Sequence, residues 1–318
     1  MTGPFFSVII PVYNRAAPLR RAIESVRAQS CQDFEIVVVD DGSSDDPRIV
    51  LEAFADPRIR FIAQPNGGGG KARNTAIDHA RGRFIAPLDS DDIFLPHHLA
   101  SMKMLLEHTT GTVGYARVRV DRGGGRVFLK PRRAIRPGED MATYLLCDRG
   151  FVPTTSVVAP RDAAARIRYP EDLRPAEDTD FAIRLFLAGY QFRMLEEPGA
   201  VWNDGFDPGR LSAGIGSDEM GGWLERMRPL IAPRAYHGGR GWAYAKLIAP
   251  KRPLAALGLY LGAVLQGCYR PSLAGIIFLQ IFMRPAGYRR LADQAVSWLR
   301  IGVQEPEKEA SARKLERA

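Results

Sequence analysis

Asp89-Ser90-Asp91-Asp92 follows directly on the apolar run Phe84-Ile85-Ala86-Pro87-Leu88. A run of that length predicts a short buried strand. Carboxylates at its end are costly unless positive charge lies against them. Asp89 and Asp91 are two residues apart, so an extended backbone turns both to one side, where they can share a ligand. A hard divalent cation that also carries phosphate oxygens suits the pair, because Mg2+ and Mn2+ take one or two carboxylates together with substrate phosphates. The plainer reading is a polar turn in which Asp92 caps the next helix.

A second chemically loaded stretch precedes it. Pro65-Asn66-Gly67-Gly68-Gly69-Gly70-Lys71-Ala72-Arg73-Asn74 combines four glycines with two cations at the expected start of a helix. Glycines let a backbone approach a ligand closely, and amides at a helix start attract anions, so the segment suits a diphosphate. It is neither a P-loop nor the Gly-x-Gly-x-x-Gly of nicotinamide sites. A third stretch, Tyr169 to Leu185, carries Glu177-Asp178-Thr179-Asp180 into an amphipathic helix whose apolar face is read as Phe181, Leu185 and Ala188. Acids in a first turn are favoured by the helix dipole whatever their function.

These groups need a frame. Ser7-Val8-Ile9-Ile10-Pro11-Val12-Tyr13-Asn14 predicts a buried strand ending in a turn, and a helix follows from Pro18. Phe34 to Asp41 predicts a second strand ending in carboxylates, Arg58 to Ile62 a third, and Phe84 to Leu88 a fourth. Strands alternating with helices predict βαβ units and a parallel sheet that binds ligands at its carboxyl edge.

Residues 5 to about 205 resemble the family 2 glycosyltransferases. The resemblance rests on Val8-Ile9-Ile10-Pro11-Val12-Tyr13-Asn14-Arg15, Val39-Asp40-Asp41-Gly42-Ser43-Ser44-Asp45, Gly70-Lys71-Ala72-Arg73-Asn74, Asp89-Ser90-Asp91-Asp92 and Glu177-Asp178-Thr179-Asp180, in that order. It implies the GT-A nucleotide-sugar fold, an α/β architecture with a Rossmann-like, mixed but mainly parallel sheet. It also implies that Pro11 and Tyr13 line a base pocket and that Asp41 accepts from the uracil ring N–H. Arg73 would lie beside base and diphosphate, Asp89 by the ribose, and Asp91 on a Mn2+ or Mg2+ ion, with Lys71 or Arg73 neutralising the diphosphate. Asp178 is implied as the general base of an inverting transfer from a UDP-sugar. Glu177 and Asp180 would then hold the helix start or acceptor hydroxyls. Trp202 and Arg210 fall in the segment where relatives close a loop over donor and acceptor, and the histidine often found there is missing. Two other classes stay open: a nucleotide-binding scaffold without catalysis, and a sugar-phosphate nucleotidyltransferase. Against the second, its glycine-rich loop belongs after the first strand, where this chain has Pro11-Val12-Tyr13-Asn14.

Composition fits an enzyme. The chain has 318 residues, 46% of them hydrophobic, enough for a substantial core. Its three cysteines are scattered and odd in number, which predicts free thiols and a reducing compartment. No leader segment is read before the first strand, which predicts a cytoplasmic protein. The organisation expected is a nucleotide-sugar half over residues 1–100, an acceptor half over 101–205 and a basic helical extension over 206–318. The formal net charge of +8 resides in that last third, with 17 Lys+Arg against 9 Asp+Glu. Its two apolar stretches, Arg252 to Leu265 and Leu273 to Met283, are too short to span a bilayer, which needs about 20 residues. Basic residues beside them suit helices lying on an anionic inner leaflet, the alternative being helices packed on the catalytic domain. No nucleic-acid motif is found. Gln-x-x-Arg-Trp and multiple spanning helices, the marks of polymerising relatives, are not found either. The expectation is therefore transfer of one sugar to a lipid-linked or glycan acceptor in surface polysaccharide assembly.

Overall fold

The computed structural model describes residues 3–123, 127–173, 176–205, 216–284 and 287–288. Its first sheet is built from β1 (Phe6–Val12), β2 (Phe34–Asp40), β3 (Ile59–Ala63), β4 (Phe84–Pro87) and the two-residue β8 (Ala159–Pro160). The strand order is β3-β2-β1-β4-β8. Every contact is parallel except β4 with β8. Helices α1 (Ala16–Arg27), α2 (Pro47–Glu52) and α3 (Gly69–His79) make the crossovers. All residues of β2 and β4 are buried, as is nearly all of β1. This is why they read as continuous apolar runs rather than alternating ones. Val12 pairs with Asp40 and Ile9 with Pro87, so the three strands end along one edge. Chain order runs outward from β1 to β3, then crosses back to β4 on the other flank of β1. The reversal opens a crevice between the carboxyl ends of β1 and β4.

A second sheet, ordered β5-β9-β6-β7, was not legible in the sequence. It contains β5 (Ile93–Phe94), β6 (Thr112–Asp121), β7 (Val127–Lys130) and β9 (Gln191–Asn203). Here β6 and β9 run parallel, with a register shift around Arg117 where Glu196 and Glu197 bulge out. Between these strands lie α4 (His98–Leu106), α5 (Met141–Leu146), α6 (Arg161–Ile167) and α7 (Glu177–Leu187). The apolar face of α7 is Phe181, Ala182, Ile183 and Leu185. Ala188, expected on that face, is exposed, because the helix ends at Leu187 and Ala188 forms its cap.

The C-terminal third is helical: α8 (Ser217–Met227), α9 (Pro233–Gly239), a widened turn at Arg240–Tyr244, α10 (Ala245–Ile248), α11 (Pro253–Leu265) and α12 (Pro271–Phe282). Met220, Trp223, Leu224, Ala235 and Tyr236 from α8 and α9 enter the same core as Ile9, Tyr115 and Phe181. Asp180, buried on α7, accepts from Trp223 Nε1 at 2.8 Å and from Arg184 Nε at 2.6 Å, which locks α8 onto α7. Helices α11 and α12 form a smaller cluster with Cys147, Cys268 and Tyr269. The three cysteines are free thiols. No helix among the described residues is long and apolar enough to cross a membrane.

Candidate active site

The crevice collects side chains that are far apart in the chain. Asp89 and Asp91 follow β4 and are partly exposed. Asp89 Oδ1 accepts from Arg73 Nη2 at 2.6 Å, and Asp91 Oδ2 from Arg15 Nη1 at 2.6 Å. Arg73 sits on the second turn of α3, buried, and its other nitrogen reaches Glu177 Oε1 at 3.4 Å. One guanidinium thus joins the end of β4 to the start of α7. Burial works against its charge, yet Asp89 and Glu177 carry its pKa upward. It also lies 5.4 Å from the ring centre of Tyr169, which stacks on Phe181. Arg73 Nε and Tyr169 Oη are buried without hydrogen-bond partners among the described residues. Such orphaned groups cost about 1–3 kcal/mol each and concentrate where a fold serves something other than its own stability.

Asp178 lies beside Glu177, its Oδ1 accepting from Thr179 N at 2.7 Å. Burial, reinforced by Glu177, pushes its pKa to about 6, against the opposing pull of Arg73. The turn before it is strained: Ala176 holds φ 110, and its N–H donates to Glu177 Oε2 at 3.0 Å.

The glycine-rich segment works differently from the sequence expectation. Gly67 N and Gly68 N are not turned to a diphosphate. They donate to Asp41 Oδ1 and Oδ2 at 2.9 and 2.7 Å, and Gln64 Nε2 adds a third bond to Oδ1 at 2.7 Å. With two lone pairs per oxygen, Oδ2 retains room for one more donor. Gly70 is needed for another reason: a Cβ there would stand 2.2 Å from Pro170 O. Asn74 completes the clamp, donating to Tyr169 O at 2.9 Å and accepting from Tyr169 N at 2.8 Å. Gly70 and Asn74 hold Tyr169 and Pro170 against α3, and Arg73 holds Glu177, the neighbour of Asp178. Lys71 is exposed on the first turn of α3.

Pro11 and Tyr13 stand partly exposed at the carboxyl end of β1, next to Asp41. Asn14, with φ 50, accepts from Ser44 N at 2.8 Å and tightens the loops after β1 and β2. Trp202 lies at the end of β9, partly buried. Arg210 lies outside the described residues.

Asp92 caps nothing. Buried, it accepts from Thr155 Oγ1 and from Asn203 N, the latter at 2.8 Å, joining β4, the 154–156 turn and β9. Burial and then the charges of Asp89 and Asp91 drive its pKa well up. The negative charge of Asp89 and Asp91, felt at Asp92, fits a cation at that pair, supplemented by substrate phosphate oxygens. No group of three or more ligating side chains is arranged for a metal among the described residues. Sequence reasoning missed the roles of Arg15, Thr155 and Asn203. Arg15 was visible inside a motif, but nothing local reveals that it meets Asp91.

Residues 7–168 match the family model described as Glycosyl transferase family 2. The amylovoran biosynthesis glycosyltransferase AmsB of Erwinia amylovora is 28% identical over 248 residues, covering 72% of this chain and 79% of AmsB. Other curated relatives match over shorter stretches, two of them covering 14% and 29% of their own lengths. Among solved structures, Staphylococcus aureus TarS 1–349 in complex with UDP-GlcNAc superposes with a TM-score of 0.64 at 18% identity, covering 92% of both chains. The mannosyltransferase PcManGT of Pyrobaculum calidifontis, in complex with GDP-Man and Mn2+, gives 0.53 at 18% identity over 92% of this chain and 88% of that one. At such identities these two establish a shared fold. The family match spans half the chain and contains four of the five motifs: this protein belongs to glycosyl transferase family 2.

Proposed function

We propose that this chain moves a single sugar from a UDP-sugar to a hydroxyl of a lipid-linked or glycan acceptor, with inversion, in surface polysaccharide assembly. The observation that carries the reading is the bridge through Arg73, which gathers Asp89, Glu177 and Asp178 around one crevice at the carboxyl edge of the sheet. The donor roles proposed are base contacts from Pro11, Tyr13 and Asp41 and diphosphate contacts from Lys71 and Arg73. Asp91, with Asp89 beside it, would hold Mn2+ or Mg2+, which when bound supplies positive charge against the diphosphate. Arg15, paired with Asp91, sets positive charge against that carboxylate in the free protein. Asp178 takes the acceptor hydroxyl proton while the oxygen bonds to the anomeric carbon and the bond to the UDP oxygen breaks. One displacement leaves the anomeric centre inverted. A carboxylate with pKa about 6 suits that role, ionised at neutral pH yet more basic than an ordinary aspartate. AmsB and the TarS complex with UDP-GlcNAc support the pathway and the donor.

Peripheral attachment to the cytoplasmic face of an anionic membrane is part of the proposal. Leu254 and Leu265 are 83% and 86% exposed, and Leu261, Ile276, Phe278 and Leu279 are exposed on the same helix pair. Lys251, Arg252, Arg270 and Arg284 stand exposed at the helix ends.

The test is a panel of UDP-sugars with Mn2+, followed for UDP release. Release with one sugar, abolished in Asp178→Asn, is the expected result. Tight UDP binding without turnover of any sugar would favour the scaffold, and release of pyrophosphate from UTP when a sugar phosphate is added would favour the nucleotidyltransferase.

A further inference from the structure

Joined to Asp92 through Asn203 and Thr155 lies a group of residues that the proposed chemistry does not use. Lys130 ends β7 and pairs with Val118; Trp202 pairs with Val120 on the same strand, β6. Directly opposed residues share a sheet face, so Lys130 and Trp202 lie on one side, with Phe128 opposite Val120. The Lys130 ammonium is 5.1 Å from the Trp202 ring centre and 5.6 Å from those of Phe151 and Phe128. Phe151 and Trp202 are themselves 5.4 Å apart. Three aromatic rings therefore enclose one ammonium.

Charge at this place is unbalanced. Burial and then Arg149 lower the Lys130 pKa to about 8, with Arg122 adding to the effect and only Asp204 opposing it. Asp204 is already engaged by Arg122 Nε at 3.2 Å. Among the described residues no carboxylate forms an ion pair with Lys130. Arg149 is held at φ 53, a backbone conformation that costs a bulky residue about 1 kcal/mol or more. Its guanidinium lies 5.7 Å from the Trp242 ring centre, and Trp242 Nε1 donates to Gln280 on α12 at 3.0 Å. The C-terminal helices thus help to set a cation beside another cation, an arrangement that stability alone does not favour.

The location is informative. Asn203 N, one residue after Trp202, donates to Asp92, and Thr155, four residues after Phe151, bonds the same carboxylate. The aromatic group is therefore tied, through Asn203 and Thr155, to Asp92, the residue following Asp91.

Resting on the transferase reading, we propose that Lys130, enclosed by Trp202, Phe151 and Phe128, binds an anionic group of the acceptor, so that this enzyme selects a negatively charged acceptor. A cation held against aromatic faces and short of a counter-ion gains most from a partly desolvated anion. Phosphate and carboxylate share that chemistry. The phosphate would come from a lipid diphosphate carrier, the carboxylate from an acidic sugar.

Competitive acetylation reads the site directly. The protein is treated with a trace of acetic anhydride at pH 8, with and without saturating UDP and Mn2+, and modification of each lysine is followed by mass spectrometry. Inorganic phosphate, glucuronate and glucose, each at tens of millimolar, are the probes. A bound anion raises the Lys130 pKa by about one unit, so its acetylation should slow about fivefold, while exposed Lys251 is unaffected. Slowing by phosphate alone assigns the carrier diphosphate, and slowing by glucuronate assigns the acidic sugar. No slowing by either, or equal slowing by glucose, overturns the proposal. If no UDP-sugar is turned over, the transferase reading fails, yet the acetylation result still reports on the anion site. Lys130→Met, which keeps the packed stem but has no amine to acetylate, should lose the binding of phosphate or glucuronate measured by calorimetry and leave UDP affinity unchanged. A parallel loss of UDP affinity would place Lys130 on the donor instead.

Discussion

At Asp178 a cost in stability coincides with the proposed role of general base. Burial and Glu177 raise its folded pKa to about 6, from an unfolded value near that of an ordinary aspartate. A raised carboxylate pKa means that the neutral form is the one the fold favours. Its contribution to stability is complete at low pH and is lost as pH rises through about 6, amounting to about 3 kcal/mol above that point. Asp178→Asn removes the penalty, so at pH 8 the variant should unfold at higher denaturant concentration than wild type. Its turnover should fall by about 10² to 10⁴ with donor affinity near wild type. A variant both less stable and unable to bind UDP would make Asp178 a structural residue. With Asp178 as the proposed base, which acts only when ionised, wild-type kcat/KM should rise about tenfold per pH unit below 6 and level off above it. Asp91→Asn should fold normally and lose Mn2+-dependent UDP binding, measured by calorimetry with and without the metal. Retained Mn2+ dependence would remove Asp91 from the metal site.

At the scale of elements, the site depends on two clamps across the fold. Gly70 and Asn74 fasten α3 to the 169–171 segment, and Asp180 fastens α7 to α8. Asp180→Ala strands the buried Trp223 indole N–H and removes the carboxylate partner of Arg184, whose other nitrogens stay on the Ile167 and Arg168 carbonyls, so it should cost about 2–3 kcal/mol in urea unfolding, with a red shift in tryptophan emission. Asp92 separates charge from hydrogen bonding. Its pKa is driven well up, so the fold tolerates a neutral group there. Asp92→Asn, which can still accept from Asn203 N and donate to Thr155 Oγ1, should lose less than about 1 kcal/mol, whereas Asp92→Ala should lose about 1–3 kcal/mol. Equal losses would show that the carboxylate charge itself is needed.

For the whole molecule, the basic C-terminal third divides into helices that build the core and helices that face outward. Trp223 and Tyr236 are buried with residues of β1 and β6, while α11 and α12 present leucines beside lysine and arginine. Each basic residue near an anionic bilayer contributes about 1 kcal/mol, screened by salt. The protein should sediment with anionic vesicles, ignore neutral ones and be released by high salt. Leu254→Glu with Leu265→Glu should abolish sedimentation and leave UDP binding intact. Equal partitioning to neutral and anionic vesicles, or to neither, would mean that these helices serve only to pack.

The amino-acid sequence alone determined the first sheet and the identity of the chemical groups. Strands buried on both faces must be continuously apolar, so β1, β2 and β4 were legible, and so were the polar residues forced to their ends. Asp89 and Asp91 could be named for the same reason, standing where the apolar run of β4 stops, whereas Asp41, Arg73 and Asp178 were named through the resemblance to the family 2 glycosyltransferases. The partners of these residues could not be named. Arg73 and Glu177 are 104 positions apart, and Asp92 and Asn203 are 111 apart. Contacts over such separations follow from how two sheets and the intervening helices pack, which no local period records. The short β5, the bulged β9 and the turn at 154–156 carry weak patterns, yet they decide where Trp202, Phe151 and Lys130 meet. The glycine run showed the same limit. Its composition announced close approach, but only packing determined that the approach is to Asp41 and Pro170, because a missing Cβ gives space without saying what fills it.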